Sequence, residues 1–498
     1  MAETIPHWIN GSPEPGSSGR TGPVFDPATG KERARVAFAS VDEVDRAVAA
    51  ASAAFSDWRN SSLSNRTQIL FRFRNLLDGA KDELSAIISA EHGKTHDDAR
   101  GEVQRGLEVV EFACGLQQLL KGDNSARVST GVDLTSVREP VGVVGCITPF
   151  NFPAMVPLWM TPIAIACGNT AILKPSEKDP STSNRLAELW SEAELPEGVL
   201  NVVHGDRVAV ERLIEHPGVA ALSFVGSTPV ARAIYENGSR HGKRVQALGG
   251  AKNHMLVLPD ADLDLSADAA VSAGYGSAGE RCMAISVVVA VGDVADRLLP
   301  KIEERIVKLR TGPASDAESE MGPLITKEHQ ERVLSCIDSG VEEGASILAD
   351  GRGLKVPGHE GGFFVGPTLF DHVKPSMRIY REEIFGPVLS VVRVEHFTEA
   401  IELVNRNQYA NGTAIFTNDG GAARRFQQEI QVGMVGINVP IPVPLAAYSF
   451  GGWKSSLFGE CSIYGPEGVH FYTRPKVVTS RWPDPVHRGV DLGFPRSR

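Results

Sequence analysis

Val141-Gly142-Val143-Val144-Gly145-Cys146-Ile147 carries no charged residue and leads, after Thr148, into Pro149-Phe150-Asn151-Phe152-Pro153. A short apolar run without polar alternation reads as a strand buried on both faces, the kind found in parallel sheets. Outward from it, similar runs follow at residues 170–173, 200–203, 221–225 and 244–248. Helical patterning lies between them at about 154–167, 182–193, 207–215 and 229–239. This alternation predicts βαβ units and a parallel sheet. A second α/β series starts near His254 and runs past Phe416, with no repeat linking it to the first. The first third of the chain reads mainly as helices. Ser40 and Glu43 make a capping box before an alanine-rich helix that ends near Trp58. A second helix spans about 65–91 with a break near Gly79, and a third spans about 101–120. Residues 126–138 and 471–482 alternate like exposed strands, candidates for a shared sheet or an arm that pairs with another subunit.

The chain has 498 residues, enough for two to four domains and a large core. Its net charge of −11 is spread without long blocks, which argues against nucleic acid as a partner. Six cysteines, at 114, 146, 167, 282, 336 and 461, form no C-x-x-C pair and no zinc spacing with histidine, so no metal site is expected. Their dispersion fits free thiols in a reducing compartment, the cytoplasm. Met1 to Trp8 lacks a basic n-region and an apolar h-region. Residues 153–167 come closest to a membrane span but are too short and are interrupted by Pro157 and Pro162.

Several short motifs carry chemistry. Gly279-Glu280-Arg281-Cys282-Met283 sets a cysteine beside a fixed positive charge, which predicts a lowered thiol pKa and a thiolate nucleophile. Asn151 follows a strand directly, where ligands bind in α/β sheets, and its amide suits an oxyanion. Lys174 and Glu177 of Lys174-Pro175-Ser176-Glu177 are placed for the two hydroxyls of a ribose, with the glutamate disfavouring a 2′-phosphate. Phe224-Val225-Gly226-Ser227-Thr228-Pro229 reads as strand, turn and helix start, with Thr228 as the cap, Pro229 at the first helical position and phosphate at the helix N-terminus. It is not G-x-G-x-x-G, so the usual dinucleotide fingerprint is absent. Each motif alone is as readily structural as functional, and their order is the stronger signal.

That order resembles the aldehyde dehydrogenase superfamily from about residue 7 to about residue 483. The match runs through P-F-N-F-P at 149–153, K-P-S-E at 174–177, G-S-T at 226–228, L-G-G at 248–250, Cys282, E-I-F-G-P at 383–387 and S-F-G-G-W-K at 449–454. G-N-T at 168–170, V-Q-A-L-G-G-A-K-N-H at 245–254, G-S-A-G-E-R-C-M-A at 276–284 and N-V-P-I-P-V-P at 438–444 are most similar to the CoA-acylating methylmalonate-semialdehyde dehydrogenase branch.

The resemblance implies two Rossmann-type parallel-sheet α/β domains and a small β oligomerisation arm. An NAD-binding domain would take residues 1–125 and 140–253, a catalytic domain 254–468, and the arm and tail 126–139 and 469–498. Cys282 is implied as the nucleophile, with Asn151 and the Cys282 N–H as the oxyanion hole. Phe150, Lys174, Glu177, Gly226, Ser227, Leu248, Glu383 and Phe385 are implied as cofactor contacts, Glu383 on the nicotinamide ribose and Phe385 near the nicotinamide. Arg281 and Arg105 are implied as ligands of a substrate carboxylate. One departure matters: hydrolytic members carry a glutamate where this chain has Ala247. A general base contributes about 10² to 10⁴ in rate, so its absence points to coenzyme A as acyl acceptor. Glu280 and Glu383 are the carboxylates able to substitute, which leaves a hydrolytic NAD-dependent dehydrogenase as the alternative. The implied reaction is decarboxylating oxidation of methylmalonate or malonate semialdehyde to propionyl-CoA or acetyl-CoA by a homotetramer, a dimer of dimers. Valine, inositol and β-alanine breakdown all remain open as pathways.

Overall fold

The computed structural model describes residues 4–482. Its first sheet has eight strands, in the order Leu457–Phe458, Arg244–Leu248, Val219–Val225, Val143–Ile147, Thr170–Lys174, Leu200–Val202, His7–Ile9 and Ser12–Glu14. The five strands from Arg244–Leu248 to Leu200–Val202 are parallel. Every residue of Val143–Ile147 and Thr170–Lys174 is buried, as the apolar runs Val143–Ile147 and Ala171–Leu173 predict. Helix Met155–Ala166 is buried along its whole length. From Val143–Ile147 the chain first builds outward through Thr170–Lys174, then returns to add Val219–Val225 on the other side. That reversal opens a crevice at the carboxyl ends of the strands.

The second sheet has seven strands, in the order Ser346–Ala349, Thr368–Asp371, Val388–Val394, Ile285–Val291, Asn253–Val257, Gly412–Phe416 and Met434–Ile437. All its pairings are parallel except that of Ser346–Ala349. Hydrogen bonds from Asn151 to Glu280 and from Ala251 to Glu383 join the carboxyl ends of the first sheet to segments that lead into strands of the second.

The helices follow their sequence signals. Ser40 and Glu43 form the reciprocal capping box of helix Val41–Trp58. The second helical stretch is two helices, Leu63–Gly79 and Lys81–His92, and left-handed Gly93 stops the latter at φ 90°. The third starts earlier than its pattern, at His96–Cys114, because the Thr95 hydroxyl accepts from the Asp98 N–H. No helix among the described residues is long and apolar enough to cross a membrane.

Two readings needed correction. Residues 126–138 are not one strand but parts of two, Asp123–Ser129 and Val132–Pro140, folded back at left-handed Gly131 (φ 67°). Thr473–Arg481 adds to them as a third antiparallel strand, from Thr473 opposite Pro140 to Arg481 opposite Val132. The tail beyond residue 482 lies outside the described residues. The stretch before Ser40 also holds strands: His7–Ile9 and Ser12–Glu14 close on Asn10-Gly11, both at positive φ (52° and 81°), as a two-residue hairpin requires. Thr21–Asp26 and Lys31–Ala37 form a second hairpin.

Helix His96–Cys114 is fastened to helix Met155–Ala166 by a buried ion pair. Lys94 Nζ lies 2.8 Å from Glu102 Oε2, with both side chains fully buried. Lys94 Nζ also donates to the Asn151 carbonyl at 2.6 Å, while Glu102 Oε1 accepts from the N–H groups of Ala154 and Met155 at 2.8 and 3.1 Å. Burial pushes the Glu102 pKa up against the pull of Lys94. Lys94→Met leaves a buried carboxylate without its counter-charge and is expected to lower stability by about 3–5 kcal/mol. Urea unfolding measures the loss, and adding Glu102→Gln is expected to recover part of it.

Candidate active site

The loop that carries Cys282 is built on an unusual backbone. After helix Leu263–Tyr275, the residues Ser277, Ala278 and Gly279 all take positive φ, at 52°, 50° and 74°. A Cβ on Gly279 would lie 2.2 Å from the Gly386 carbonyl oxygen, so that position admits only glycine. The chain then passes Cys282 and enters Ile285–Val291. Two amides clamp it there: Asn253 Nδ2 and Asn411 Nδ2 donate to the Cys282 carbonyl at 2.9 and 3.1 Å. Asn253 also donates to the Ala284 carbonyl at 2.9 Å and accepts from the Gly412 N–H at 3.0 Å.

Cys282 borders two spaces. The larger, about 330 Å³, is walled by Arg105, Arg281 and Asp98 on its polar side and by Phe152, Trp159 and Phe450 on its apolar side. The smaller brings Cys282 together with Arg281, Glu383 and Phe385. Asn151 is buried, and one N–H of its amide donates to the Glu280 carbonyl at 3.0 Å. An amide nitrogen has a second N–H, and Asn151 itself lines neither space beside Cys282. Arg281 donates to Asp98 Oδ1 at 2.6 Å, and exposed Arg105 donates to Glu108 Oε2 at 2.9 Å.

The thiol runs against expectation. Its pKa is pushed up to about 12, first by burial and second by the negative charge of Glu383. The help from Arg281, which also pairs with Asp98, is smaller than either. Sequence adjacency to arginine therefore does not produce a resting thiolate.

The two carboxyls near Cys282 differ in setting. Glu383 Oε1 accepts from the Ala251 N–H at 2.8 Å, and burial raises its pKa to about 7. A Cβ on Gly250 would come within 2.4 Å of Glu383 Oε2, so Gly250 makes the room for it. Glu280 is fully buried and raised to about 8 by desolvation. Its carboxyl faces His329 Nε2 at 3.5 Å and His92 Nε2 at 3.8 Å, and it lines neither space beside Cys282. Phe150 packs edge-on against Phe385 with centroids 5.8 Å apart.

A second cluster lies in the crevice of the first sheet. Lys174 Nζ and Glu177 Oε2 are 3.3 Å apart just beyond Thr170–Lys174. The Gly226 N–H donates to the Leu248 carbonyl at 3.1 Å. Ser227, rather than Thr228, holds the cap position of helix Thr228–Arg240, and its hydroxyl bonds no helix N–H. Thr228 instead accepts from the Gly250 N–H at 2.8 Å, drawing the two glycine turns together. A helix N-terminus without a side-chain cap, on the same carboxyl edge of the sheet as a lysine–glutamate pair two strands away, fits the pyrophosphate and ribose of a dinucleotide. Ala247 is fully buried, paired with Phe224 on one side and Phe458 on the other.

Lys94, Glu102, Asp98, Asn253 and Asn411 escaped the sequence reading as functional residues. Asn253 stood inside a quoted motif; the others had no local signal.

A model of the Aldehyde dehydrogenase family matches residues 14–478. The malonate-semialdehyde dehydrogenase of Pseudomonas aeruginosa is 55% identical over 99% of this chain and 99% of its own. The crystal structure of a methylmalonate-semialdehyde dehydrogenase from Oceanimonas doudoroffii is 54% identical, covers 97% of this chain and 99% of its own, and superposes with a TM-score of 0.96. A protein from Sinorhizobium meliloti solved in complex with NAD is 52% identical, with a TM-score of 0.97 and coverage of 98% of this chain and 99% of its own.

The charge of Glu383 on the Cys282 thiol makes a measurable prediction. Without cofactor, iodoacetamide alkylation of the Cys282 peptide is expected to accelerate with pH and reach no plateau below about pH 10. Glu383→Gln removes a like charge and should speed alkylation roughly 2- to 10-fold. That gain should appear only as pH rises past about 7, where the wild-type carboxyl ionises. Peptide mass spectrometry over a pH series reads both effects.

Proposed function

The chain belongs to the aldehyde dehydrogenase family, and from that premise we propose that it oxidises malonate or methylmalonate semialdehyde with NAD and coenzyme A, releasing CO₂ and acetyl-CoA or propionyl-CoA. The observation that carries this reading is one cavity bordered by Cys282 and by two arginines, Arg281 and Arg105. A planar guanidinium binds a carboxylate through paired hydrogen bonds, so the cavity suits a small aldehyde with an acid group. The names of the relatives agree with that substrate class.

In the proposed mechanism the Cys282 thiol gives up its proton to water, and its sulfur adds to the aldehyde carbon as the carbonyl electron pair moves onto oxygen. The Asn151 amide and the Cys282 N–H hold the resulting oxyanion. When bound, NAD supplies the hydride acceptor that turns this adduct into a thioester on Cys282. Lys174 and Glu177 bind ribose hydroxyls, Glu383 the nicotinamide ribose, and the N-terminus of helix Thr228–Arg240 the pyrophosphate at Gly226 and Ser227. Phe150, Leu248 and Phe385 line the path to the nucleophile. The carboxylate β to the thioester then leaves as CO₂, and the coenzyme A thiol takes the acyl group. Ala247 supports transfer to a thiol over hydrolysis, since it supplies no base for water. Hydrolysis to a free acid is the second reading, favoured by Glu383, whose carboxyl borders the same space as Cys282. Exposed Val477 and Val478 on the edge strand Thr473–Arg481 suit pairing with another copy, and assembly as a dimer of dimers belongs to the same proposal.

The test is NADH formation from malonate semialdehyde with and without coenzyme A, with products identified by mass spectrometry. Acetyl-CoA and CO₂ are expected, with steady turnover only when coenzyme A is present. Steady release of free acid without it would move the protein to the hydrolytic reading. Ala247→Glu is expected to shift product toward free acid; because the site is fully buried, thermal unfolding is followed in parallel.

A further inference from the structure

Two arginines border the substrate cavity, and each already holds an acid. The Arg105–Glu108 pair is exposed, with side chains 47% and 29% accessible, so solvent screens it and an incoming carboxylate displaces it readily. The Arg281–Asp98 pair is sheltered, at 24% and 17%, and short. A Cβ on Gly276 would lie 2.6 Å from Arg281 Nη1, so the guanidinium rests against the glycine backbone while Nη2 is taken by Asp98. Helix His96–Cys114 presents Asp98, Gly101, Glu102 and Arg105 along one face of the cavity at helical spacing. A Cβ on Gly101 would meet nothing within 4 Å, which leaves that wall open.

The proposed function contains a conflict that this geometry resolves. A carboxylate gripped by an arginine is stabilised against departure as CO₂, and only interactions that weaken toward the transition state avoid that penalty. We propose that Asp98 is a positioning residue that tethers Arg281 and offsets its charge, so that the cavity accepts a β-carboxylate without retaining it. This rests on the proposed function and assigns the residue that controls its decarboxylation. A carboxylate bound at Arg281 lies beside the negative Asp98. That repulsion is relieved when the bond between the α-carbon and the carboxylate carbon breaks. Its electron pair moves into the thioester carbonyl as an enolate, neutral CO₂ departs, and the α-carbon then takes a proton from water. Burial raises the Asp98 pKa, but the charges of Arg281 and Lys94 outweigh it, and the group is held below the usual carboxylate range, ionised at neutral pH.

Asp98→Asn keeps an oxygen acceptor for Arg281 and removes the charge. Its expected effects are a KM for malonate semialdehyde lower by roughly 3- to 10-fold, a lower kcat, and malonyl-CoA released beside acetyl-CoA because coenzyme A intercepts the intact acyl group. The kcat/KM ratio of malonate semialdehyde over propanal, which has no carboxylate, should rise. Asp98→Glu restores the charge and should return the products toward acetyl-CoA alone. Thermal unfolding checks the fold, and Asp98→Ser serves as a second charge-removing variant if Asp98→Asn does not fold. Acetyl-CoA as the sole product with an unmoved substrate ratio, in a folded charge-removing variant, overturns the assignment of Asp98. Wild-type enzyme that releases no CO₂ from malonate semialdehyde overturns the proposed function and this inference together.

Discussion

The buried contact of Lys94 with Glu102 underlies everything the site does. Glu102 satisfies the first N–H groups of helix Met155–Ala166, and Lys94 holds the carbonyl of Asn151. Asn151 passes the constraint on through its amide to the Glu280 carbonyl, two residues before the nucleophile. Such a pair, taken wholly out of water, persists only when its remaining donors and acceptors are also satisfied. Here the backbone atoms they satisfy belong to Asn151, Ala154 and Met155, in and just after the Pro149–Pro153 turn. Loss of either charge would therefore free the Pro149–Pro153 turn as well as weaken the helix contact.

The constraint acts across two sheets. Asn151, Lys174, Gly226 and Leu248 sit at or just past the carboxyl ends of strands in the first sheet, while Cys282, Glu383 and Asn411 precede strands of the second. Approach of the backbones is close enough that side chains are excluded at two turns. Gly279 lies against the Gly386 carbonyl, and Gly250 lies against the Glu383 carboxyl. Those glycines turn two α/β layers into one crevice with Cys282 at its base.

Legibility followed the range of the interaction. Thr170–Lys174, Leu200–Val202 and Arg244–Leu248 lay within a residue of their sequence reading, because short runs rich in apolar and β-branched residues alternate there with helical stretches. His7–Ile9 and Ser12–Glu14 were missed, although Asn10-Gly11 is a hairpin signal; each run is only three residues long. Of the site, Cys282, Asn151, Lys174 and Glu383 were visible inside short motifs. Asp98 was not, since its partner Arg281 is 183 residues away and a lone aspartate in a helical first turn has an ordinary local explanation. The reading of the thiol was reversed by its burial and by Glu383: Arg281 was visible beside Cys282, the enclosure and the distant carboxyl were not.

That reversal bears on how the proposed thioester would survive. A resting thiol held near pKa 12 is not a free nucleophile, so reactivity depends on changes in its surroundings when ligands arrive. The carboxyl that most opposes ionisation is Glu383, the same group proposed for the nicotinamide ribose. Engaging it with ribose hydroxyls would spread its charge and ease the thiol toward its nucleophilic form. The same engagement would also occupy the one carboxyl that borders the space beside Cys282 on the cofactor side. Glu280 stays enclosed by His92, His329 and the Ile325 N–H. On the proposed function, Ala247 supplies no acid group for a water molecule, so the acyl group would persist until a better nucleophile, a thiol, reaches it.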